Sequence, residues 1–295
     1  MSDIKQLNIS SSKYPKALKN LPDAPEVLYY RGNLDVLDAK PKIAVVGTRR
    51  CSQYGIKATE KIAGGLANAG VCIVSGLARG IDTYGHKAAL DFEAPTIAVT
   101  GSGIDDKTIY PQKNRGLAND IVEAGGLILS EYSPGTPGNR HRFPERNRIV
   151  AMLSDGVLAV EAPLKSGTLI TTRLAGEYKK KVYAVPGSVF SRLSAGTNNL
   201  IHKGAKIVRS ADDILKEFEV NSKINLGEKN KNTNSLNKEE ALVFNFINKA
   251  PEAVHVDKII QSTKLSSDRV YEIIAGLMLQ DYIKETDSNH YICQN

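Results

Sequence analysis

Four glycine-punctuated stretches carry most of the polar chemistry in this chain. Gly47-Thr48-Arg49-Arg50-Cys51-Ser52-Gln53-Tyr54-Gly55 follows a β-branched run and opens a helical pattern. Small residues there allow close backbone approach, and the unsatisfied N–H groups of a helix start favour an anion. Arg49 and Arg50 add charge-assisted donors, with the hydroxyls of Thr48 and Ser52 beside them. The same residues also fit an ordinary βα turn with a capped helix. Ser75 to Asp82 sets Arg79 between Gly76 and Gly80, with Asp82 available as a cap. Thr100-Gly101-Ser102-Gly103-Ile104-Asp105 leads into Tyr110-Pro111 and Asn114, and Lys165-Ser166-Gly167-Thr168 puts a lysine and hydroxyls ahead of another helix. Each stretch alone fits a turn; four of them at one edge of a sheet point to a shared polar cleft.

A fifth segment, Arg140-His141-Arg142-Phe143-Pro144-Glu145-Arg146-Asn147-Arg148, holds four arginines in nine positions and one acid. A solvated basic face is the simplest account of such a run. Phe143 and Tyr132, however, add aromatic surface beside the arginines. That mixture suits single-stranded nucleic acid, where phosphates meet cations and unstacked bases meet rings. Arg148 can alternatively brace the cleft through a carboxylate such as Glu161.

Several chemistries find no support. Gly47 and Gly55 lack the dinucleotide spacing, the second strand runs into Ser75-Gly76 with no acid for a ribose, and no triphosphate-binding loop occurs. No cofactor is therefore expected. Cys51, Cys72 and Cys293 lie far apart without metal-ligand spacing, so no metal is expected either. The histidines pair with no nucleophile at a recognisable spacing. Glu131, Glu161 and Asp105 lie near strand ends, where orienting the arginines is their simpler role. No catalytic residue is assigned.

The elements that must position these residues are legible from periodicity. Apolar runs at 43–47, 71–76, 96–101, 127–131, 157–162 and 182–187 suit strands buried on both faces, with helices as crossovers. Repeated units of this kind give an α/β fold, a Rossmann-like doubly wound parallel sheet. Residues 1–220 read as that domain with an N-terminal extension, and the polar, Asn- and Lys-rich 221–234 as a linker. In 235–295, three helices (about 241–247, 254–260 and 266–279) and a hairpin suggest a winged-helix module, with Ser266 as an N-cap.

The chain of 295 residues has a net charge of +7. Residues 235–295 hold six basic and nine acidic side chains, so the remainder carries +10. A polyanion would find its field in the first part. Sparse cysteines, the absence of an apolar run long enough to span a membrane, and the lack of a signal-like start fit a cytoplasmic protein.

Taken together the motifs resemble those of the DNA-processing protein A family (DprA, also called Smf). The resemblance rests on Tyr14-Pro15, Leu28-Tyr29-Tyr30-Arg31-Gly32-Asn33, Val46-Gly47-Thr48-Arg49 and the SGLARGID stretch. It continues through Tyr110-Pro111 with Asn114, Ser130-Glu131-Tyr132, Phe143-Pro144 and Arg146-Asn147-Arg148-Ile149. Ser166-Gly167 with Ile170-Thr171, Pro186-Gly187, and Gly196-Thr197-Asn198 with Leu200-Ile201 complete it. The resemblance implies an extended Rossmann domain that holds single-stranded DNA and protects incoming strands during natural transformation. It also implies a homodimer that binds the RecA recombinase and loads it onto that DNA. The family's glycine–serine–arginine element falls on Gly47, Thr48 and Arg49, with threonine keeping the hydroxyl. The candidate DNA contacts are these three with Arg50, Ser52, Arg79, Arg140, Arg142, Arg146, Arg148, Lys165, Ser166 and Gly167.

Two other readings compete. A nucleotide phosphoribohydrolase of a related Rossmann-like group needs a PGGxGT loop, and here Pro186-Gly187-Ser188 is followed by Val189-Phe190. A repressor with a duplex-reading winged helix is disfavoured by the acids Asp268 and Glu272 on its third helix. Deleting 221–295 is therefore expected to leave most single-strand affinity intact; a collapse in a binding titration would contradict this.

Overall fold

The computed structural model describes residues 4–220, 236–250, 253–280 and 282–293. They fall into two compact units, one on each side of 221–235; the expected linker lies outside the described residues. In the larger unit the chain runs β1 (Lys5–Asn8), α1 (Lys16–Lys19), β2 (Val27–Gly32), β3 (Lys42–Val46), α2 (Gln53–Asn68), β4 (Cys72–Ser75), α3 (Ile81–Asp91), β5 (Thr96–Val99) and α4 (Arg115–Glu123). It continues with β6 (Leu127–Ser130), α5 (Arg142–Leu153), β7 (Gly156–Ala159), α6 (Gly167–Glu177), β8 (Lys181–Ala184), α7 (Ala195–His202), β9 (Lys206–Ile207) and α8 (Asp212–Leu215).

The nine strands form one sheet in the order β1-β2-β6-β5-β4-β3-β7-β8-β9. From β6 to β9 all neighbours are parallel, whereas β1–β2 and β2–β6 are antiparallel. The six apolar runs become β3 to β8. Ala44, Val46, Val74, Val99 and Leu129 face one side, packed with Ile149, Val150 and Leu153 of α5 and Ala175 of α6. Ile43, Val45, Ile73 and Leu158 face the other, against Ile62 and Leu66 of α2 and Ala88 and Ala89 of α3. Burial on both faces is why the central strands are apolar throughout and do not alternate.

The N-terminal extension supplies β1 and β2, which extend the sheet beyond β6. Their mixed composition, KQLN and VLYYRG, gave no continuous apolar run to read. The last helical turn of α2 stops at Gly70, whose φ of +79° suits a residue without a Cβ.

The smaller unit contains α9 (Lys238–Lys249), β10 (Val254–His255), α10 (Val256–Thr263), α11 (Ser267–Leu279), β11 (Ile283–Asp287) and β12 (His290–Cys293). Asn237 and Glu240 form a reciprocal capping box on α9, and Ser266 Oγ accepts from Arg269 N at 3.4 Å to cap α11. Val243, Ile247, Ile259, Ile273 and Leu277 fill the space between the helices. Residues 254 and 255, expected to begin a helix, instead pair with β12 as the third strand of a small sheet; cross-strand bonding outweighs local propensity there. Three helices with this sheet are a winged-helix arrangement. Among the described residues no helix is long and apolar enough to cross a membrane.

His86, fully buried on α3, shares a 2.8 Å hydrogen bond between Nδ1 and Thr96 Oγ1. Burial first, and the Arg146 charge second, push its pKa down from 6.5 to about 3. A base depressed in this way takes up its proton more readily in the unfolded chain. Its contribution to stability is therefore full above pH 6.5 and lost as the pH falls toward 3. Denaturant titrations between pH 7 and pH 4 are expected to show stability falling by up to ~1.4 kcal/mol per pH unit from this group. The His86→Gln variant should show a shallower slope, and an unchanged slope would remove His86 from the account.

Candidate functional site

The carboxyl ends of the parallel strands open into a cleft of about 960 Å³. It lies at the ends of β3 and β7, neighbours in the sheet. Their following helices, α2 and α6, pack on opposite faces, the arrangement that opens a crevice in doubly wound folds.

The floor is built from the loop after β3. Thr48 N donates to the Glu161 carbonyl at 2.8 Å. The Glu161 carboxylate accepts from Ser52 N at 2.9 Å and from Ser52 Oγ at 2.5 Å, while Ser52 Oγ accepts from Gly55 N at 3.1 Å. Glu161 is 1% exposed, so one buried carboxylate ties this loop to the end of β7. A Cβ on Gly47 would strike Ile81, and Gly80, with φ +77°, lies so close to Thr48 that a Cβ there would meet its carbonyl oxygen. These two glycines let the loops after β3 and β4 touch.

A second support comes from α5. Arg146 is 4% exposed and donates to the Val99 carbonyl. Asp82 lends it a favourable charge, but burial still pulls the guanidinium pKa down from 12.5 to about 10, leaving it charged at neutral pH. Burial in turn raises the pKa of Asp82, which accepts from Gly76 N at 3.1 Å and Ala78 N at 3.4 Å. Asn114 fastens the same loop, its amide donating to the carbonyls of Leu77 (2.8 Å) and Ala78 (3.1 Å) and to Thr83 Oγ1 (2.9 Å).

The cleft wall is cationic. Arg49, Arg50, Arg140, Arg146, Lys165 and Arg192 line it, with Asp82 the single carboxylate among the lining residues. The ion pairs of the larger unit are made by other basic residues. Among the described residues none of Arg49, Arg50, Lys165 and Arg192 has a carboxylate partner. Aromatic surface is interleaved. Arg49 lies 5.0 Å from the Phe143 ring centre, and Phe143 lies 5.1 Å from Tyr110.

Of the residues singled out in the sequence, Gly47, Thr48, Arg49, Arg50, Arg140, Arg146, Lys165, Ser166 and Gly167 line this cleft. Arg79 lines an adjoining cavity of about 250 Å³ that it shares with Arg49, Arg50 and Arg146. Three are turned elsewhere. Ser52 caps α2 and holds Glu161. Arg142 stacks 5.0 Å from the Tyr132 ring centre and donates to the Pro137 carbonyl at 2.6 Å. Arg148 pairs with Asp23 at 2.6 Å and Glu131 at 2.8 Å. The brace anticipated between Arg148 and Glu161 does not form, because Glu161 points to Gly55 on α2 and the sheet separates α2 from α5. Arg192 was not anticipated. It follows the sixth apolar run, and a position just beyond a strand end is the signal that finds it.

A sequence model of the DNA recombination-mediator protein A family matches residues 5–219. The chain belongs to this family. It is 50% identical over 206 residues to the DNA processing protein DprA of Streptococcus pneumoniae, covering 70% of this chain and 71% of that one. The crystal structure of the Streptococcus pneumoniae protein superposes with a TM-score of 0.68 at 46% identity, over 73% of this chain and 74% of that one. The Helicobacter pylori DNA processing protein A gives 0.65 at 34% identity, over 74% of this chain and 100% of that one. That structure describes a single-stranded DNA binding mode of the Helicobacter protein. The family match stops short of the smaller unit.

Glu161→Ala is expected to strand the Ser52 N–H and hydroxyl without their acceptor. A loss of about 1–3 kcal/mol should follow, read as a shifted midpoint in chemical denaturation. A variant as stable as the parent would show that the loop is held by other contacts.

Proposed function

We propose that the cleft at the ends of β3 and β7 binds single-stranded DNA with little regard to sequence. The observation that carries this reading is the set of unpaired cations interleaved with Phe143 and Tyr110 at the sheet's switch point. Phosphates supply the missing counter-charge, and any unstacked base offers a face to a ring. In this reading residues 1–220 form the DNA-binding domain. Gly47, Thr48, Arg49, Arg50, Lys165, Ser166 and Gly167 meet the strand directly, with Arg140 and Arg79 at its margins. Arg146 and Arg148 act chiefly by positioning, since the first is buried and the second is held by two carboxylates. Family membership and the Helicobacter relative's single-strand binding mode support this reading.

The chain then serves as a recombination mediator in the cytoplasm, protecting incoming single strands and loading RecA onto them as a homodimer. A binding role fits better than an enzymatic one, because each carboxylate near the strand ends already has an occupation. Glu161 holds Ser52, Glu131 holds Arg148, and Asp105 accepts from Thr108 N at 3.2 Å and Gly135 N at 2.7 Å. For 235–295, the winged-helix module, a protein-contact role fits better than groove reading. Arg269, the basic residue of α11, is engaged by Glu239 at 2.7 Å and Glu272 at 2.6 Å.

Competition among single-stranded DNA, duplex DNA and mononucleotides at two salt concentrations tests the reading. Single strands should win. Arg49→Ala should weaken binding across sequences and flatten the slope of log K against log salt by roughly 0.7. An unaltered affinity and slope would take Arg49 out of the site. RecA filament formation on protein-coated single strands, with and without this chain, tests the loading role, and equal rates would refute it.

A further inference from the structure

We propose that the loop between β8 and α7 extends the single-strand path beyond the cleft. The Phe190 ring is the platform for an unpaired base, and Arg192 is the adjoining phosphate contact. This rests on the single-strand reading given above and adds a subsite to it.

Phe190 is 95% exposed and its neighbour Val189 84%. A phenyl ring left almost wholly in water gains free energy when a partner covers it. The exposure does not come from a loose loop, because both ends are fastened. Tyr54 OH donates to the Pro186 carbonyl at 2.5 Å. The Asn198 side chain accepts from Gly187 N at 3.2 Å and donates to the Gly187 carbonyl at 3.0 Å. Further along, Ser188 Oγ accepts from Phe190 N at 3.3 Å, and the Leu193 carbonyl accepts from Ala162 N at 2.7 Å. The tip is thus presented on a fixed frame, which lowers the entropy lost on binding.

The surroundings select the ligand. Arg192, two residues beyond Phe190, lines the cationic cleft and has no carboxylate partner among the described residues. The bond between Ala162 and Leu193 joins this loop to the segment that carries Leu164, 61% exposed, and the cleft residue Lys165. Each of the two joined segments therefore carries an exposed apolar side chain within two residues of a cleft cation. A purely apolar partner would leave those cations without counter-charge, and a free phosphate would leave the ring uncovered. A flexible polynucleotide satisfies both. Of the cleft rings, Phe143 already carries Arg49 against it and lies 5.1 Å from Tyr110, so each offers a base less than its full surface. Among the described residues no aromatic ring or cation lies against Phe190, so its faces are open.

The chain contains no tryptophan, so Phe190→Trp places a lone indole reporter at the tip. Titration of this full-length variant with oligothymidylate should quench its fluorescence, while an abasic oligomer of equal length should bind with little quenching. Phe190→Ala should weaken oligothymidylate binding by about 5- to 150-fold. Its salt slope should match the parent's, because no cation is removed. The ring's exposure makes both substitutions harmless to the core. Equal quenching by the abasic oligomer, or parental affinity in Phe190→Ala, overturns the proposal. Parental affinity in Phe190→Ala together with weakened binding in Arg49→Ala defeats this subsite alone. If Arg49→Ala also binds like the parent, the single-strand reading itself falls. An altered sedimentation coefficient in Phe190→Ala with unchanged DNA affinity would reassign the tip to a contact between protein chains, and so overturn the proposal.

Discussion

Positive charges gathered at one edge of a sheet repel one another, and this protein concentrates them where few acids stand nearby. Such a cluster persists because covalent and packing forces hold its members in place. The layer beneath the surface shows how. Arg146 sits under the glycine at position 76 with Asp82 opposite, and Arg148 is clamped between Asp23 and Glu131. Glu161 fixes the loop that bears Arg49 and Arg50. Nearly all the negative charge near the strand ends is spent on the scaffold, so the outermost cations face solvent unneutralised. A polyanion lying along the cleft relieves that repulsion, and binding energy is thereby built into the unliganded fold.

The scaffold depends on where the chain reverses direction across the sheet. Because β3 and β7 are neighbours while their helices lie on opposite faces, their loops diverge and leave room between them. Asn114 ties the loops after β4 and β5 together by bonding across to Leu77 and Ala78. The N-terminal extension has a share in this. It adds β2 to the sheet beside β6, and it brings Asp23 within reach of α5.

The smaller unit follows another electrostatic logic. Its third helix has a buried stripe of Val270, Ile273, Ile274 and Leu277, and its lone arginine is committed to two glutamates. With Arg269 so engaged, this helix presents no unpaired cation among its described residues. The charge separation already visible in the two parts of the chain is thus carried through to individual side chains.

How far this could be read from residues alone differs between scaffold and site. The six central strands, the helix after the first of them and the cap at Ser266 were legible, because burial on two faces and helix capping are local in their sequence signatures. The outer strands β1 and β9 and the β2 strand next to β1 were not, since short or mixed segments become strands only when a neighbour supplies hydrogen bonds. The candidate cations were found largely because they sit beyond strand ends. Their division into surface contacts and buried braces was invisible, as residues two positions apart on α5, Arg146 and Arg148, take unlike roles. By itself the sequence determined the alternation of strand and helix and the placing of positive charge in the first part of the chain. Tertiary structure decided which arginines remain free, because a guanidinium group is neutralised by whichever carboxylate folding brings within about 3 Å, and for Arg148 one such partner, Asp23, lies 125 positions away along the chain.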